Sequence, residues 1–270
     1  MSIAVLKGHG TENDFVIVPD LEDSLDLTAD LVRALCDRHA GVGGDGVLRV
    51  VRSEDPAAPY FMDYRNADGS IAEMCGNGVR VFVRYLQHAG LVTDSTDVLT
   101  RGGIKHVSTS GENLTVTMGR PGVFDDRPKV TPHGDQPFAC LAHVEMPNPH
   151  VVVLVDSAVD LADLDLDYAP VVDPALPNGQ NVEFIHRAGD HHLAMRVYER
   201  GVGETRSCGT GICAVVAAVG SPDGSRWQVD VPGGTTSVVW REDGEIELTG
   251  PAVLVGEIEL DDTWLAEAGA

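Results

Sequence analysis

Two short stretches of the chain repeat the same arrangement of a cysteine followed by glycines. The first is Cys75-Gly76-Asn77-Gly78 and the second is Cys208-Gly209-Thr210-Gly211, and each leads from a polar, glycine-containing turn into an apolar run. This pattern predicts a buried helix that begins at the cysteine. Because the pattern occurs twice, we expect two similar halves, each with one thiol at a helix amino terminus.

A second pair of similar segments, separated by nearly the same number of residues as the two cysteine motifs, supports an internal duplication. Asn13-Asp14-Phe15 and Asn148-Pro149-His150 both run into apolar segments. Short β-branched runs dominate most of the remaining sequence, whereas residues 27–41, 76–90 and 209–220 have helical periodicity. The last two helices are apolar over most of their circumference, which requires burial on most sides. We therefore predict an α+β fold of two similar domains, each a mixed β-sheet wrapped around a central helix.

The domain boundary is predicted in a stretch rich in proline and glycine, residues 119–137. This gives an amino-terminal domain over residues 1–119 that carries Cys75 and a carboxy-terminal domain over residues 120–254 that carries Cys208. A last strand near 255–270 is expected to pack back onto the first domain.

The charge of the chain excludes some partners. With 42 acidic residues against 19 basic ones, the net charge of −23 repels nucleic acids and anionic membranes. The longest apolar runs are too short to span a bilayer, and the start of the chain lacks the pattern of a secretory signal. A cytoplasmic location is therefore predicted. The five cysteines form an odd set without a Cys-x-x-Cys pair, so neither a disulfide framework nor a structural zinc site is expected.

A thiol at a helix start is suited to proton transfer. Unpaired backbone N–H groups and the helix dipole stabilise a thiolate there, and the following glycines let a carboxylate approach the same N–H groups closely. Two thiols placed alike in two halves suggest an acid and a base that face one carbon from opposite sides.

Longer segments around these motifs resemble the diaminopimelate epimerase family. The resemblance is carried by HGTENDFV, YRNADGSIAEMCGNGVR, MPNPH and YERGVGETRSCGTG, and it runs from Lys7 to about Pro251. It implies two similar domains with an active site in the cleft between them. It also implies interconversion of LL- and meso-2,6-diaminopimelate for lysine and peptidoglycan precursors, with no pyridoxal phosphate, metal or other cofactor.

The resemblance further implies roles for individual residues. Cys75 and Cys208 are the catalytic acid/base pair, His150 assists proton handling, and Glu199 contacts the α-amino group near a thiol. The other residues bind substrate: Gly76, Asn77, Gly209 and Thr210 at the reacting carboxylate, Arg200 at the distal carboxylate, and the amides of Asn13, Asn66, Asn148 and Asn181.

Some features depart from the family pattern or point elsewhere. Many family members have a substrate-contacting glutamine where this chain has Gly46, and the segment after Cys208 is short. Residues 41–46 match a dinucleotide-binding fingerprint, but they follow a helix and lead into a strand, the reverse of the required order. The remaining thiols, Cys36, Cys140 and Cys213, are predicted to be core residues.

The sequence leaves alternatives open. A proline or hydroxyproline racemase shares the implied architecture, although that group typically has histidine in place of Asn77. A thiol redox sensor with a reversible disulfide between Cys75 and Cys208 belongs to another class, as does a binding protein without activity. The expected partner is a small amino-acid substrate, and a homodimer is left open.

Overall fold

The computed structural model describes residues 3–269. Met1, Ser2 and Ala270, which belong to the ends of the predicted domains, lie outside the described residues. The helices in this range are α1 (Ala29–Cys36), α2 (Gly76–His88), α3 (Ala158–Asp163), α4 (Gly209–Val219) and α5 (Asp262–Ala268). The first strands are β1 (Ala4–Gly10), β2 (Asn13–Pro19), β3 (Gly46–Arg52), β4 (Tyr60–Asn66), β5 (Thr96–Thr100), β6 (Gly103–Ser110), β7 (Asn113–Gly119), β8 (Gly122–Phe124), β9 (Lys129–Thr131) and β10 (Phe138–Glu145). The later strands are β11 (Pro149–Leu154), β12 (Val171–Asp173), β13 (Asn181–Gly189), β14 (His192–Glu199), β15 (Gly203–Thr205), β16 (Arg226–Val231), β17 (Gly234–Trp240), β18 (Ile246–Gly250) and β19 (Val253–Glu259). Within residues 3–269 every helix is too short or too polar to cross a membrane.

The chain forms two compact units. Unit 1 comprises the residues up to Val116 together with those from Pro251 onward, and unit 2 comprises Thr117–Gly250. In unit 1 the strand order is β19-β1-β2-β3-β4-β5-β6-β7, with β2/β3 and β4/β5 parallel and the other neighbours antiparallel. In unit 2 the order β8-β10-β11-β13-β14-β16-β17-β18 has the same sequence of parallel and antiparallel pairs. The predicted duplication is confirmed at the level of strand pairing.

One helix lies at the centre of each sheet. Helix α2 packs against β1, β2 and β6, and nearly every residue of its first three turns is buried. Helix α4 packs in the same way against β10, β11 and β17 and is buried from Gly209 to Ala217. Helices this apolar are stable only when neighbouring strands cover them on most sides. The prediction of a mixed sheet around a central helix, made twice, is confirmed.

The first helix ends earlier than the sequence predicts. Thr28 caps α1 as expected, with its hydroxyl accepting a hydrogen bond from Leu31 N at 3.1 Å. The helix stops at Cys36 rather than continuing toward Gly41, because Asp37 adopts an extended backbone and its carboxylate accepts from His39 N and Ala40 N, both at 2.7 Å. Local side-chain bonds of this kind compete with the next helical turn.

The strand registers define equivalent positions in the two units. Across the parallel pairs, Phe15 lies opposite Gly46 in unit 1 and His150 lies opposite Asn181 in unit 2. Gly46 in turn pairs with Asn66 at the end of β4, and the register of β13 with β14 places Asn181 opposite Glu199. The duplicated fold therefore brings these six positions to matching strand ends.

Candidate active site

In unit 1, Cys75 is the N-cap residue of α2. Its backbone is extended, and its sulfur accepts a hydrogen bond from Gly78 N at 3.4 Å. The thiol itself donates to Asn13 Oδ1 at 3.6 Å. Cys75 is only partly buried, whereas Gly76 and Asn77 behind it are buried in the first helical turn. A sulfur that caps a helix lies where backbone N–H groups stabilise negative charge.

A chain of hydrogen-bonded side chains fixes the orientation of the Asn13 amide, which faces this thiol. Asn77 donates to Asn13 Oδ1 at 3.2 Å, and Asn13 donates to Asp45 Oδ2 at 2.7 Å. The fully buried Arg80 donates to Asn77 Oδ1 at 2.5 Å. Because a guanidinium only donates and a carboxylate only accepts, the two ends of this chain determine which way both amides point. The carbonyl of Asn13 therefore faces Cys75.

Charged residues extend this network away from the thiol. Arg38 bridges Asp14 and Asp45, with N–O distances of 2.7 Å to each carboxylate, and Lys7 bonds Asp14 at 2.5 Å. Burial raises the pKa of Asp14, but the hydrogen bonds from Arg38 and Lys7 outweigh it and bring the pKa to about 2. Burial, reinforced by the nearby Asp14 charge, raises the pKa of Asp45. The cluster holds Asp45 against Asn13.

The other unit 1 positions lie along the neighbouring strand ends. Asn66 ends β4, and its amide donates to Ser70 Oγ at 3.0 Å within the turn that follows. Opposite it, a Cβ at Gly46 would lie 2.5 Å from the carbonyl oxygen of Arg65 and 2.7 Å from the ring of Tyr64. The packing around β3 and β4 therefore leaves no room at position 46 for a side chain such as the glutamine that the family resemblance implies there.

In unit 2, Cys208 is the N-cap residue of α4 and is more deeply buried than Cys75. Its sulfur lies 3.4 Å from Thr210 Oγ1, and only 6% of the residue is exposed. Burial, and then the negative charges of Glu199 and Glu183, raise the pKa of Cys208 well above its usual value. This thiol is therefore protonated at neutral pH.

Glu199 and its neighbours form the strand-end part of this site. Glu199 ends β14 and accepts a hydrogen bond from Thr205 Oγ1 at 2.5 Å. Burial raises the pKa of Glu199, against the effect of the Thr205 hydrogen bond. Asn181 accepts from Arg200 N at 2.9 Å, and the exposed Arg200 side chain donates to the carbonyl of Asn178.

A buried histidine completes the unit 2 arrangement. His150 Nδ1 lies 2.6 Å from Glu183 Oε1, and His150 Nε2 lies 2.9 Å from Asn148 Oδ1. Both His150 and Glu183 are 0% exposed. A histidine that follows a proline at the start of a strand could equally lie at the surface, and the burial of His150 beside a carboxylate excludes that alternative.

The predicted residues fall into separate groups by direct contact. Hydrogen bonds join Cys75, Asn13 and Asn77 in unit 1. In unit 2 they join three pairs, Cys208–Thr210, Asn148–His150 and Asn181–Arg200. Asn66 instead bonds Ser70, in the turn that would be expected of its sequence without a functional role.

Sequence reasoning missed Arg80 and Glu183, although both carry a detectable signal. Each is a charged residue in the buried, largely apolar part of its element, Arg80 in α2 and Glu183 in β13. Such residues are rarely fully buried unless they are paired. A charge inside a run that must be buried therefore indicates a partner that the sequence does not identify.

Comparisons with known proteins identify the family of this chain. The family model described as "Diaminopimelate epimerase" matches residues 5–123 and 142–255. The diaminopimelate epimerase of Streptomyces coelicolor is 51% identical, with 97% of each chain covered, and that of Thermobifida fusca is 49% identical over 93% of this chain and 95% of the relative. A solved hydroxyproline epimerase from Agrobacterium vitis has the same fold, with a TM-score of 0.71 at 14% identity over 97% of this chain and 93% of that one. The chain therefore belongs to the diaminopimelate epimerase family.

Proposed function

We infer that this protein is an isomerase that interconverts LL- and meso-2,6-diaminopimelate in lysine and peptidoglycan precursor synthesis. The observation that carries this conclusion is the pair of thiols at equivalent helix N-caps, in a chain that matches the diaminopimelate epimerase family over most of its length. Two relatives named diaminopimelate epimerase are about half identical to this chain, and the match covers nearly their whole length.

The proposed reaction transfers two protons through sulfur. One thiolate removes the α-proton, and the other thiol donates its proton to the opposite face of the same carbon, which inverts the centre. The two sulfurs thereby exchange protonation states in each turnover. The raised pKa of Cys208 supports a starting state in which Cys208 is the acid and Cys75 the base. The reverse reaction uses them in the opposite roles.

The negative charge that develops on the substrate needs stabilisation by groups already in place. We propose that the backbone N–H groups at Gly76, Asn77, Gly209 and Thr210 bind the reacting carboxylate, since these residues form the first turns of α2 and α4. Glu199 is proposed to bind the α-amino group, because a carboxylate at a strand end near a thiol complements an ammonium.

The remaining polar groups are proposed to recognise the second amino-acid centre of diaminopimelate. Arg200 offers an exposed guanidinium suited to a carboxylate, and Asn181 bonds its backbone. Asn13 and Asn66 supply amides at the ends of β2 and β4, and Asn148 supplies one directly before β11. Both thiols must be reduced for this chemistry, which supports a reducing compartment such as the cytoplasm.

The function is tested by incubating reduced protein with LL-diaminopimelate in D2O and following the α-position by NMR. We expect meso product that carries deuterium, and we expect Cys75→Ala and Cys208→Ala each to abolish its formation. Cys36→Ala and Cys140→Ala are matched controls that should retain activity, because both thiols are buried among the apolar side chains of the two hydrophobic cores.

The result also separates the alternatives. Exchange on proline or hydroxyproline, with none on diaminopimelate, would assign the chain to the racemases that share its architecture. If folded and fully reduced protein exchanges none of these amino acids, the epimerase assignment is wrong, and a redox or binding role takes its place.

A further inference from the structure

The His150–Glu183 pair in unit 2 is completely buried. Neither residue has exposed surface, and their polar atoms approach within 2.6 Å. The second carboxylate oxygen, Glu183 Oε2, is buried without a hydrogen-bond partner among residues 3–269. Burying a carboxylate in this way is costly unless a positive charge lies against it.

The partners of the ring determine its charge. Nδ1 of His150 faces a carboxylate oxygen of Glu183, and Nε2 faces the amide oxygen of Asn148 at 2.9 Å. Both of these oxygens accept hydrogen bonds, so a ring nitrogen that faces either of them must donate to satisfy the contact. A doubly protonated imidazole paired with the Glu183 carboxylate satisfies both contacts and leaves the pair neutral overall.

The equivalent place in unit 1 is filled by apolar side chains. Phe15 and Leu48 occupy the strand positions that correspond to His150 and Glu183, and both are fully buried. Their side chains lie 3.5 Å and 3.2 Å from where a Cβ would stand on Gly78. In unit 2, Glu183 Oε1 lies 2.7 Å from the same point on Gly211.

This comparison shows that the fold does not need an ion pair at this place. An apolar pair fills it in unit 1, and replacing a buried ion pair with apolar residues of similar size is often neutral or stabilising. The His150–Glu183 pair also lies close enough to groups of the proposed site to interact with them electrostatically. The charges of Glu183 and His150 act in opposite directions on the pKa of Glu199, and the Glu183 charge acts on Cys208.

We propose that Glu183 is a positioning residue of the Cys208 site, which holds His150 as a doubly protonated ring directed at Asn148. Glu183 then acts through His150, whose ring orientation and positive charge it maintains beside Glu199. The catalytic consequence rests on the proposed epimerase function. The proposed charge and orientation of the ring do not depend on that function.

The state of the ring is tested by 15N NMR of the reduced protein, with the His150 signals assigned by their loss in His150→Gln. We expect both ring nitrogens of His150 to be protonated at neutral pH in the unsubstituted protein. In Glu183→Gln, which keeps the shape but loses the charge, one ring proton should be lost. A singly protonated His150 in the unsubstituted protein would overturn the proposal without any activity measurement.

The catalytic consequence is tested by kinetics on folded variants. Glu183→Gln should lower kcat by about tenfold or more with little change in KM, as expected for the loss of an oriented acid/base group. In a His150→Gln background the same change should have no further effect, because Glu183 acts through His150. Glu145→Gln, an exposed carboxylate of the same unit, is the matched control.

A double substitution separates the structural role from the catalytic one. His150→Phe with Glu183→Leu copies the apolar pair of unit 1, and it should keep the melting temperature while epimerisation is lost. Full activity of this folded variant, or equal kcat values for Glu183→Gln and the unsubstituted protein, would overturn the positioning role. If the unsubstituted protein does not epimerise at all, the proposed function fails, and the NMR result still decides the state of His150.

Discussion

Cys75 and Cys208 begin equivalent helices in two units with the same strand pairing, yet the groups around the two thiols differ in charge. Cys75 contacts the amide oxygen of Asn13 and the backbone N–H of Gly78. Cys208 lies in the field of two carboxylates, Glu199 and Glu183, which raise its pKa in addition to burial. The duplication preserved the helix start that supports a thiolate, while the neighbouring strand ends diverged.

This difference bears on how two identical side chains would perform opposite steps in the proposed reaction. An inversion through two thiols needs one of them deprotonated and the other protonated when substrate arrives. Identical surroundings would give both sulfurs the same affinity for a proton. The carboxylates of unit 2 therefore supply an asymmetry that a symmetric duplication lacks.

The largest expected effect comes from neutralising one of these carboxylates. Glu199→Gln removes a charge that raises the pKa of Cys208, so the pKa of this thiol should fall and its alkylation at fixed pH should become faster. At the same time kcat for diaminopimelate should fall by about 100-fold or more, because the proposed contact with the α-amino group is lost. Steady-state kinetics and peptide mapping after iodoacetamide treatment measure the two effects.

Glu145→Gln serves again as the exposed control and should change neither quantity. A Glu199→Gln variant whose Cys208 reacts more slowly than in the unsubstituted protein would contradict the electrostatic account of unit 2.

The matched glycines after the two cysteines offer a second test. An alanine Cβ at Gly211 would lie 2.7 Å from the buried Glu183 carboxylate, whereas at Gly78 the nearest atom would be a Leu48 methyl group at 3.2 Å. We expect Gly211→Ala to lower the free energy of unfolding by about 2 kcal/mol, because a hydrogen-bonded carboxylate must move. Gly78→Ala should stay within about 1 kcal/mol, since alanine also favours the helix. Urea denaturation of both variants measures the difference, and equal losses would show that the two helix starts are packed alike.

The sequence predicted the architecture because its strongest signals are local and repeated. Two helices that are apolar on most sides require a surrounding sheet, and the duplicated Cys-Gly motif locates both thiols. The predicted end of α1 is wrong because the side chain of Asp37 accepts hydrogen bonds from two backbone N–H groups that a further turn would have bonded to helix carbonyls. The partners within the site were not predictable either. Glu183 meets His150 only through strand pairing of segments that lie far apart in the chain.

The reactivities of the two thiols provide a third test of the comparison. At neutral pH Cys75 should be alkylated by iodoacetamide about tenfold faster than Cys208, because thiolate is the reactive form and Cys208 is both buried and protonated. Raising the pH should increase the rate at Cys208 and narrow the ratio. Peptide mapping at several times and pH values measures both rates, with Cys36 as an internal thiol that stays unmodified. Preferential labelling of Cys208 at neutral pH would contradict the proposed resting state, in which Cys208 is the protonated thiol.

The smallest expected effect concerns a network that only unit 1 has. Asp14 bonds Arg38 and Lys7, whereas the equivalent residue of unit 2 is Pro149, which has no carboxylate. The folded protein holds the pKa of Asp14 at about 2, below its ordinary value of 3.8, so this interaction stabilises the fold above about pH 4 and is lost as the pH falls toward 2. Asp14→Asn should therefore lower the free energy of unfolding at pH 7 by about 1 kcal/mol, less than the pKa shift alone implies, because Arg38 is half exposed to solvent. Urea denaturation from pH 7 down to pH 2 should show the variant and the unsubstituted protein converging in acid. A difference that persists at pH 2 would mean that Asp14 acts through packing rather than charge, and the contrast between the two units would then rest on their thiol surroundings alone.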